Sequence, residues 1–333
     1  MSNLQLKVGG WEYDHTRALF DGTVKIDGVD AGFERPKIIS DTFERMIRHQ
    51  AYDVSELGLT FYLRTLDLED PQFIAIPIFP NRHFRHSAIY INTSSGIETP
   101  QDLAGKTIGE LGTYGHDAGV WPKGILSDDY GVTPDQSRWV IGAPDWYMPP
   151  FDFIPFLHPH NVDVTAVAKG KALGPMLEGG EIDALISAVP PRCVLNGSPK
   201  VAQLFPDYVS VEREYYARTG IYPIMHTVVV RRDLLAQNPG LARKIYQGYI
   251  DSRDVAMGQW EHGRMEHQMN VMVPWMNSLY EENRQLLAED WWPYGVDGNR
   301  KTIDTFLRYS FEQGLAKQRL TCEDIFAQEL LDT

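Results

Sequence analysis

Over the first two-thirds of this chain, short apolar runs with a two-residue period keep giving way to capped segments that end on glycine. Leu4-Gln5-Leu6-Lys7-Val8 alternates apolar and polar residues and stops at Gly9-Gly10. Asp41 and Glu44 form a capping pair for a helix over residues 43–50, and a short strand Asp53-Val54-Ser55-Glu56-Leu57-Gly58 follows. Thr99-Pro100-Gln101-Asp102 sets a cap residue before a proline at the first helical position, and Gly105 closes that segment before a strand over 106–110. Further strands are expected over 74–79, 87–91, 182–186 and 222–230. Beyond Asn238-Pro239 the pattern is mostly helical to Leu331. Strands separated by helices pair in parallel through crossovers, so the expected class is α/β: two parallel-sheet lobes with extra C-terminal helices.

Length agrees with two lobes, because 333 residues exceed the ~250–300 at which a single core stops growing. The net charge of −14 argues against a nucleic-acid partner, which needs a basic face. For an anionic ligand the overall field is repulsive, so a few local arginines must supply the attraction. The two cysteines, Cys193 and Cys322, support neither a disulfide framework nor a zinc site. The first ten residues lack a basic stretch followed by an apolar one, and no apolar run approaches the ~20 residues that span a bilayer. The expectation is a cytoplasmic protein without a membrane partner.

Several segments resemble known proteins. Asp102-Leu103-Ala104-Gly105-Lys106-Thr107-Ile108-Gly109, followed by a glycine-rich turn and a helix ending at Tyr130-Gly131-Val132, is similar to the second lobe of type II periplasmic binding proteins. Gly179-Gly180-Glu181-Ile182-Asp183-Ala184-Leu185 resembles their helix-to-strand step. The implied fold is a two-lobed type II periplasmic-binding-protein-like α/β fold. One lobe would hold residues 1–92 and 225–333, the other 93–224, with a ligand cleft between them. A closer resemblance, over the whole length, is to the 4,5-dihydroxyphthalate decarboxylases of bacterial phthalate degradation. It rests on Trp11-Glu12-Tyr13-Asp14-His15-Thr16-Arg17, Glu56-Leu57-Gly58-Leu59, Phe79-Pro80-Asn81-Arg82-His83-Phe84-Arg85-His86 and Ile221-Tyr222-Pro223-Ile224-Met225-His226. This resemblance implies loss of one CO2 from a dihydroxylated aromatic diacid to give protocatechuate.

That chemistry needs arginines on carboxylates, an acid that keeps a proton near neutral pH, and a polar contact to the catechol. The ring is its own electron sink, so no cofactor is expected, although a catechol could itself bring a divalent metal. In such folds ligands sit beyond the carboxyl ends of strands. Loops there carry the proton-transfer candidates His15, His86, Glu56 and His116, with His15 and His86 preferred as donors. The substrate-binding candidates are Arg17, Arg82, Thr113, Tyr114, Arg192 and His226. If residues 82–86 are extended, Arg82 and His86 share one face and His83 and Arg85 the other; the first is expected to face the cleft. Arg192, after Pro190-Pro191, suits a stiff carboxylate clamp, and residues 112–116 open a helix whose free N–H groups suit an anion. Glu56 could orient a histidine or simply bond to backbone, and His226 could be only a satisfied core residue. His158-Pro159-His160 lacks a third ligand at metal-like spacing, so no metal residues are assigned. The partners that fit are a small aromatic carboxylate and other copies of the chain in a homo-oligomer. A non-catalytic receptor or sensor for an aromatic carboxylate is the competing function.

Overall fold

The computed structural model describes residues 3–155, 159–267, 271–287 and 289–333; His158 of the His-Pro-His segment lies outside them. The strands are β1 (Leu4–Gly9), β2 (Val29–Glu34), β3 (Val54–Gly58), β4 (Phe73–Ile76), β5 (Ile89–Asn92) and β6 (Thr107–Leu111). They continue as β7 (Arg138–Gly142), β8 (Asp163–Ala166), β9 (Ala184–Ile186), β10 (Val201–Gln203) and β11 (His226–Arg231). The helices begin with α1 (Arg17–Phe20), α2 (Ile39–His49), α3 (Leu59–Leu66), α4 (Asp117–Tyr130), α5 (Leu173–Gly179) and α6 (Arg192–Leu195). The rest are α7 (Tyr208–Thr219), α8 (Arg232–Gln237), α9 (Leu241–Met265), α10 (Met276–Leu287), α11 (Arg300–Glu312) and α12 (Cys322–Ile325).

Two separate sheets form, in the orders β2-β1-β3-β11-β4 and β10-β5-β9-β6-β7-β8. Neither is purely parallel. In the first, β11 runs antiparallel to β3 and β4; in the second, β5 runs antiparallel to β9 and β10. Each of these strands is the one that arrives from the other sheet. It starts at the end where its parallel neighbours finish, as the pairings His226↔Gly58 and Ile89↔Ile186 show. The strand at 89–92 precedes the expected boundary at 92 yet pairs in the second sheet, so the change of sheet comes before Ile89.

Strand β3 lies at the middle of the first sheet with all five residues buried, which accounts for its apolar run around Glu56. Pro77 ends β4, having no N–H to continue a ladder. Thr99 and Asp102 do form a capping box, but on a single 3-10 turn, Pro100–Leu103. The C-terminal helices reach both lobes: α9 packs on α1, while α11 lies against α4, with Trp121 5.6 Å from Phe306 and 5.7 Å from Tyr309 between ring centres. No helix among the described residues is long and apolar enough to cross a membrane.

The two sheets meet along a seam where α4 points its first turn at the end of β3. The Thr60 backbone N–H donates to Asp117 Oδ1 at 2.5 Å, and the Trp121 indole N–H donates to the Ile224 carbonyl at 2.8 Å. Gly58 makes this approach feasible, since a Cβ there would collide with Asp117 Oδ2. Phe151 and Phe153, from the proline-rich segment after β7, pack on Phe61 of α3 with centroid separations of 6.0 and 5.1 Å. That segment therefore lies across the seam.

Candidate active site

Strands β3 and β11 bring the central pair together. Their antiparallel register sets Glu56 opposite Val228 and His226 opposite Gly58, so Glu56 and His226 are diagonal neighbours on one face. His226 Nδ1 lies 2.6 Å from Glu56 Oε1, with both side chains buried. The loop after β1 folds back to the same carboxylate. Tyr13 donates its hydroxyl to Oε1 at 2.7 Å, and the Trp11 backbone N–H donates to Oε2 at 2.9 Å. Three hydrogen-bonding groups thus converge on one carboxylate. With Nδ1 bearing its hydrogen toward Glu56, the His226 Nε2 is left for chemistry. Burial and the Glu56 charge hold the Tyr13 phenol far above its usual range, so it stays a donor.

Around this pair lie His83, Arg85, His116 and Asp117. Burial, reinforced by the charge on Arg85, pushes His83 down to about 4 and His116 to about 3, so neither is charged at neutral pH. Burial raises the Asp117 carboxyl, partly opposed by the His226 charge, and Asp117 Oδ2 has no hydrogen-bond partner among the described residues. Beside the network opens a pocket of about 430 Å³ shared by the β1 loop, the 80–83 segment, α9 and α10. Tyr13, His15, Trp260, Tyr280, Trp291 and Trp292 supply flat aromatic walls, and Asn81, His83 and Arg253 supply polar groups. The volume lies within the ~300–1,000 Å³ range of small-ligand sites. Tyr13 and His83 belong to both pocket and network, which makes the two continuous.

The sequence candidates divide sharply. Glu56 and His226 come together as described. His15 lines the pocket, 3.0 Å from Asp14 Oδ1 through Nδ1 and 5.2 Å from the Tyr13 ring, with Nε2 buried and unpartnered among the described residues. Arg82 lines the pocket too, but its guanidinium is spent on protein oxygens: Tyr222 O at 3.3 Å, Pro293 O at 2.7 Å and the Asn299 side chain. It braces the C-terminal segment and is not available as a carboxylate clamp.

The expected alternation through residues 82–86 fails, because the chain turns into a 3-10 helix over His86–Ala88. His83 reaches the pocket wall, and Arg85 donates from Nε to Met225 Sδ, next to His226 in the chain. His86 turns away, edge-on to Phe205 and Tyr215 at 5.3 Å each, and burial pushes it down to about 4. It is not a proton donor at neutral pH. His116 fails in that role for the same reason, and as N-cap of α4 its Nδ1 accepts from the Ala118 N–H.

The glycine-rich turn is no open anion cradle either. Its Gly115 N–H donates to Glu110 Oε1 at 3.0 Å, so the lobe's own carboxylate fills it. Thr113 is buried, and Tyr114 packs beneath Lys123 Nζ, 3.9 Å from its ring centre. Arg17 is 60% exposed and paired with Glu12, while Arg192 is exposed on α6, where its backbone N–H donates to Asp145. Both arginines lie outside the pocket wall. Conversely, Tyr13 and Asp117 are not among the candidates read from the chain, and Arg85 was expected on the face turned from the cleft. Tyr13 and Arg85 stood inside the quoted motifs, and Asp117 follows His116 directly, but only packing reveals what each one faces.

Among the described residues no three His, Cys, Asp or Glu side chains are grouped to hold a metal ion. No family profile matches the chain. The chain is 34% identical to a 4,5-dihydroxyphthalate decarboxylase of Comamonas testosteroni over all of its own length and 99% of that protein's. It is 36% identical to one of Pseudomonas putida, over 65% of this chain and 83% of that one. Among solved structures, the periplasmic sulfonate-binding protein SsuA of Methylobacillus flagellatus KT superposes with a TM-score of 0.58 at 13% identity, over 98% of this chain and 92% of that one. The aliphatic sulphonate binding protein SsuA of Escherichia coli gives 0.54 at 11% identity, over 98% and 93%. The fold is thus of the type II periplasmic-binding-protein-like class.

Proposed function

The chain belongs to the 4,5-dihydroxyphthalate decarboxylase family, and from that membership we propose that it removes one CO2 from a dihydroxylated aromatic diacid, 4,5-dihydroxyphthalate foremost, to give protocatechuate. The structural observation that supports this reading is the buried Glu56–His226 pair beside an aromatic-walled pocket. In the substrate each carboxylate is para to a hydroxyl. Electron density from that oxygen flows to the ring carbon bearing the departing carboxylate, and that carbon takes a proton. The carbon–carbon bond then breaks, its electron pair restores the aromatic ring, and CO2 leaves. One proton is consumed and no redox change occurs.

In this scheme the His226 Nε2–H supplies the proton and Glu56 steadies the cation before transfer, with solvent restoring the proton afterwards. His15, on the pocket wall, is a second polar contact for the ring. The lobes are taken to divide between β4 and β5 and between β10 and β11, and to close on the substrate. A cytoplasmic location and a homo-oligomeric assembly belong to the same proposal, to be checked by cell fractionation and solution mass.

The deciding experiment incubates the protein with 4,5-dihydroxyphthalate in D2O, with and without chelator, following CO2 and protocatechuate. Deuterium should enter at the vacated carbon. His226→Asn should lower kcat by about 10²–10⁴, the scale for losing a general acid. Binding without any turnover by the wild type, in either condition, would instead identify a receptor for aromatic carboxylates.

A further inference from the structure

We infer, building on the decarboxylase reading, that Arg85 is the anchor for the substrate carboxylate that the reaction keeps: it is a guanidinium sunk in the seam whose terminal nitrogens meet no acceptor among the described residues. The residue is 8% exposed. Its Nε donates to Met225 Sδ at 3.2 Å, a weak acceptor. Among the described residues, Nη1 and Nη2 make no hydrogen bond, and no carboxylate lies within ion-pair distance. The acids nearest in influence, Asp117 and Glu212, are both held toward their neutral forms by burial. Each is already engaged with a backbone N–H, Asp117 with that of Thr60 and Glu212 with that of Ser87.

The histidines that feel the Arg85 charge, His83 and His116, are uncharged at neutral pH, so neither competes with it for an anion. Arg82 makes the contrast plain, because its buried guanidinium is bonded to backbone and side-chain oxygens. A largely buried charge without a protein partner is costly to keep, and a ligand carboxylate would complete it. The planar fork of arginine matches a carboxylate with two parallel bonds.

Chemistry decides which carboxylate. The departing group loses its negative charge as it becomes CO2. A charge-assisted bond to it would favour the ground state over the transition state and slow the reaction. The retained carboxylate keeps its charge throughout, so holding it binds substrate, transition state and product alike. Arg85 is therefore a binding residue that holds one of the two equivalent carboxylates and leaves the other to depart.

The test measures phthalate binding by calorimetry, since this diacid lacks the hydroxyls that drive CO2 loss, alongside turnover of 4,5-dihydroxyphthalate and thermal unfolding without ligand. In Arg85→Met, phthalate and protocatechuate should bind about ten- to a hundredfold more weakly, the scale of a charge-assisted bond. KM should rise by a similar factor with kcat within a few-fold of wild type, the signature of uniform binding. Arg85→Lys should recover part of the affinity. Without ligand, Arg85→Met should melt no lower than the wild type, because an uncompensated charge has been removed. A lower melting temperature, a failure to fold, or unchanged phthalate affinity and KM would each overturn the assignment and leave the decarboxylase reading intact. Phthalate binding that depends on Arg85 in a protein that never releases CO2 would uphold the anchor and overturn the decarboxylase.

Discussion

Two buried cations show how differently this chain handles charge. Lys123, inside the second lobe, donates to Glu110 Oε1 at 2.8 Å and Oε2 at 2.7 Å, and its ammonium lies 3.9 Å from the Tyr114 ring centre and 4.8 Å from that of Trp139. Both members of the pair are 1% exposed. Everything Lys123 can donate to is already in place, and Glu110 also takes the Gly115 N–H. Arg85, in the seam, is also buried, at 8% exposed, and among the described residues its side chain has only a thioether as acceptor. Burial alone therefore does not mark a functional charge. A completed set of partners points to structure, and a missing one points to a ligand.

The largest effect should come from breaking the completed pair. Lys123→Met leaves Glu110 buried without its cation and should cost about 3–5 kcal/mol of folding stability in urea titrations. Adding Glu110→Leu should recover most of that loss. A single variant as stable as the wild type would mean that the pair is not sealed, and the contrast with Arg85 would collapse.

Next in size is a pH effect on burial without any charge partner. His86 has Asp129 and Arg218 nearby, yet desolvation dominates and its folded pKa lies near 4, below the ordinary ~6.5. The unfolded chain thus takes up the proton first. The stability contributed by neutral His86 is complete above ~6.5 and falls as pH drops toward about 4, by about 1.4 kcal/mol per pH unit. His86→Leu should flatten the acid limb of stability against pH by that slope. An unchanged limb would show that His86 is hydrated in solution.

The smallest effects belong to the surface. Arg17→Ala and Arg192→Ala, where exposed charges meet water, should change kcat/KM less than twofold and stability by about 0.5 kcal/mol or less. A tenfold fall in kcat/KM for either would restore the role that its position in the chain suggested.

That suggestion shows what position along a chain can and cannot carry. Arg17 follows the first strand and Arg192 follows a stiff Pro-Pro turn, both sound reasons to expect the cleft. Their side chains nevertheless end in solvent, because a one-turn helix rotates each away. Residues 82–86 failed for a related reason: a two-residue period holds only while the backbone stays extended, and this one turns at Arg85.

Strand and helix alternation, the glycine stops and the family likeness were legible in the residues alone, because periodicity, capping and turn chemistry act within a few positions. Glu56 was legible as a candidate partner for a histidine, but which histidine was not. His226 lies 170 residues away and reaches Glu56 only through the antiparallel register of β11 on β3. The same holds for the pocket, whose walls join Tyr13 and His83 to Trp260, Tyr280 and Trp292 from the C-terminal helices. Whether a buried charge is matched depends on atoms brought within about 3 Å by long-range packing, and no local rule of sequence encodes that distance.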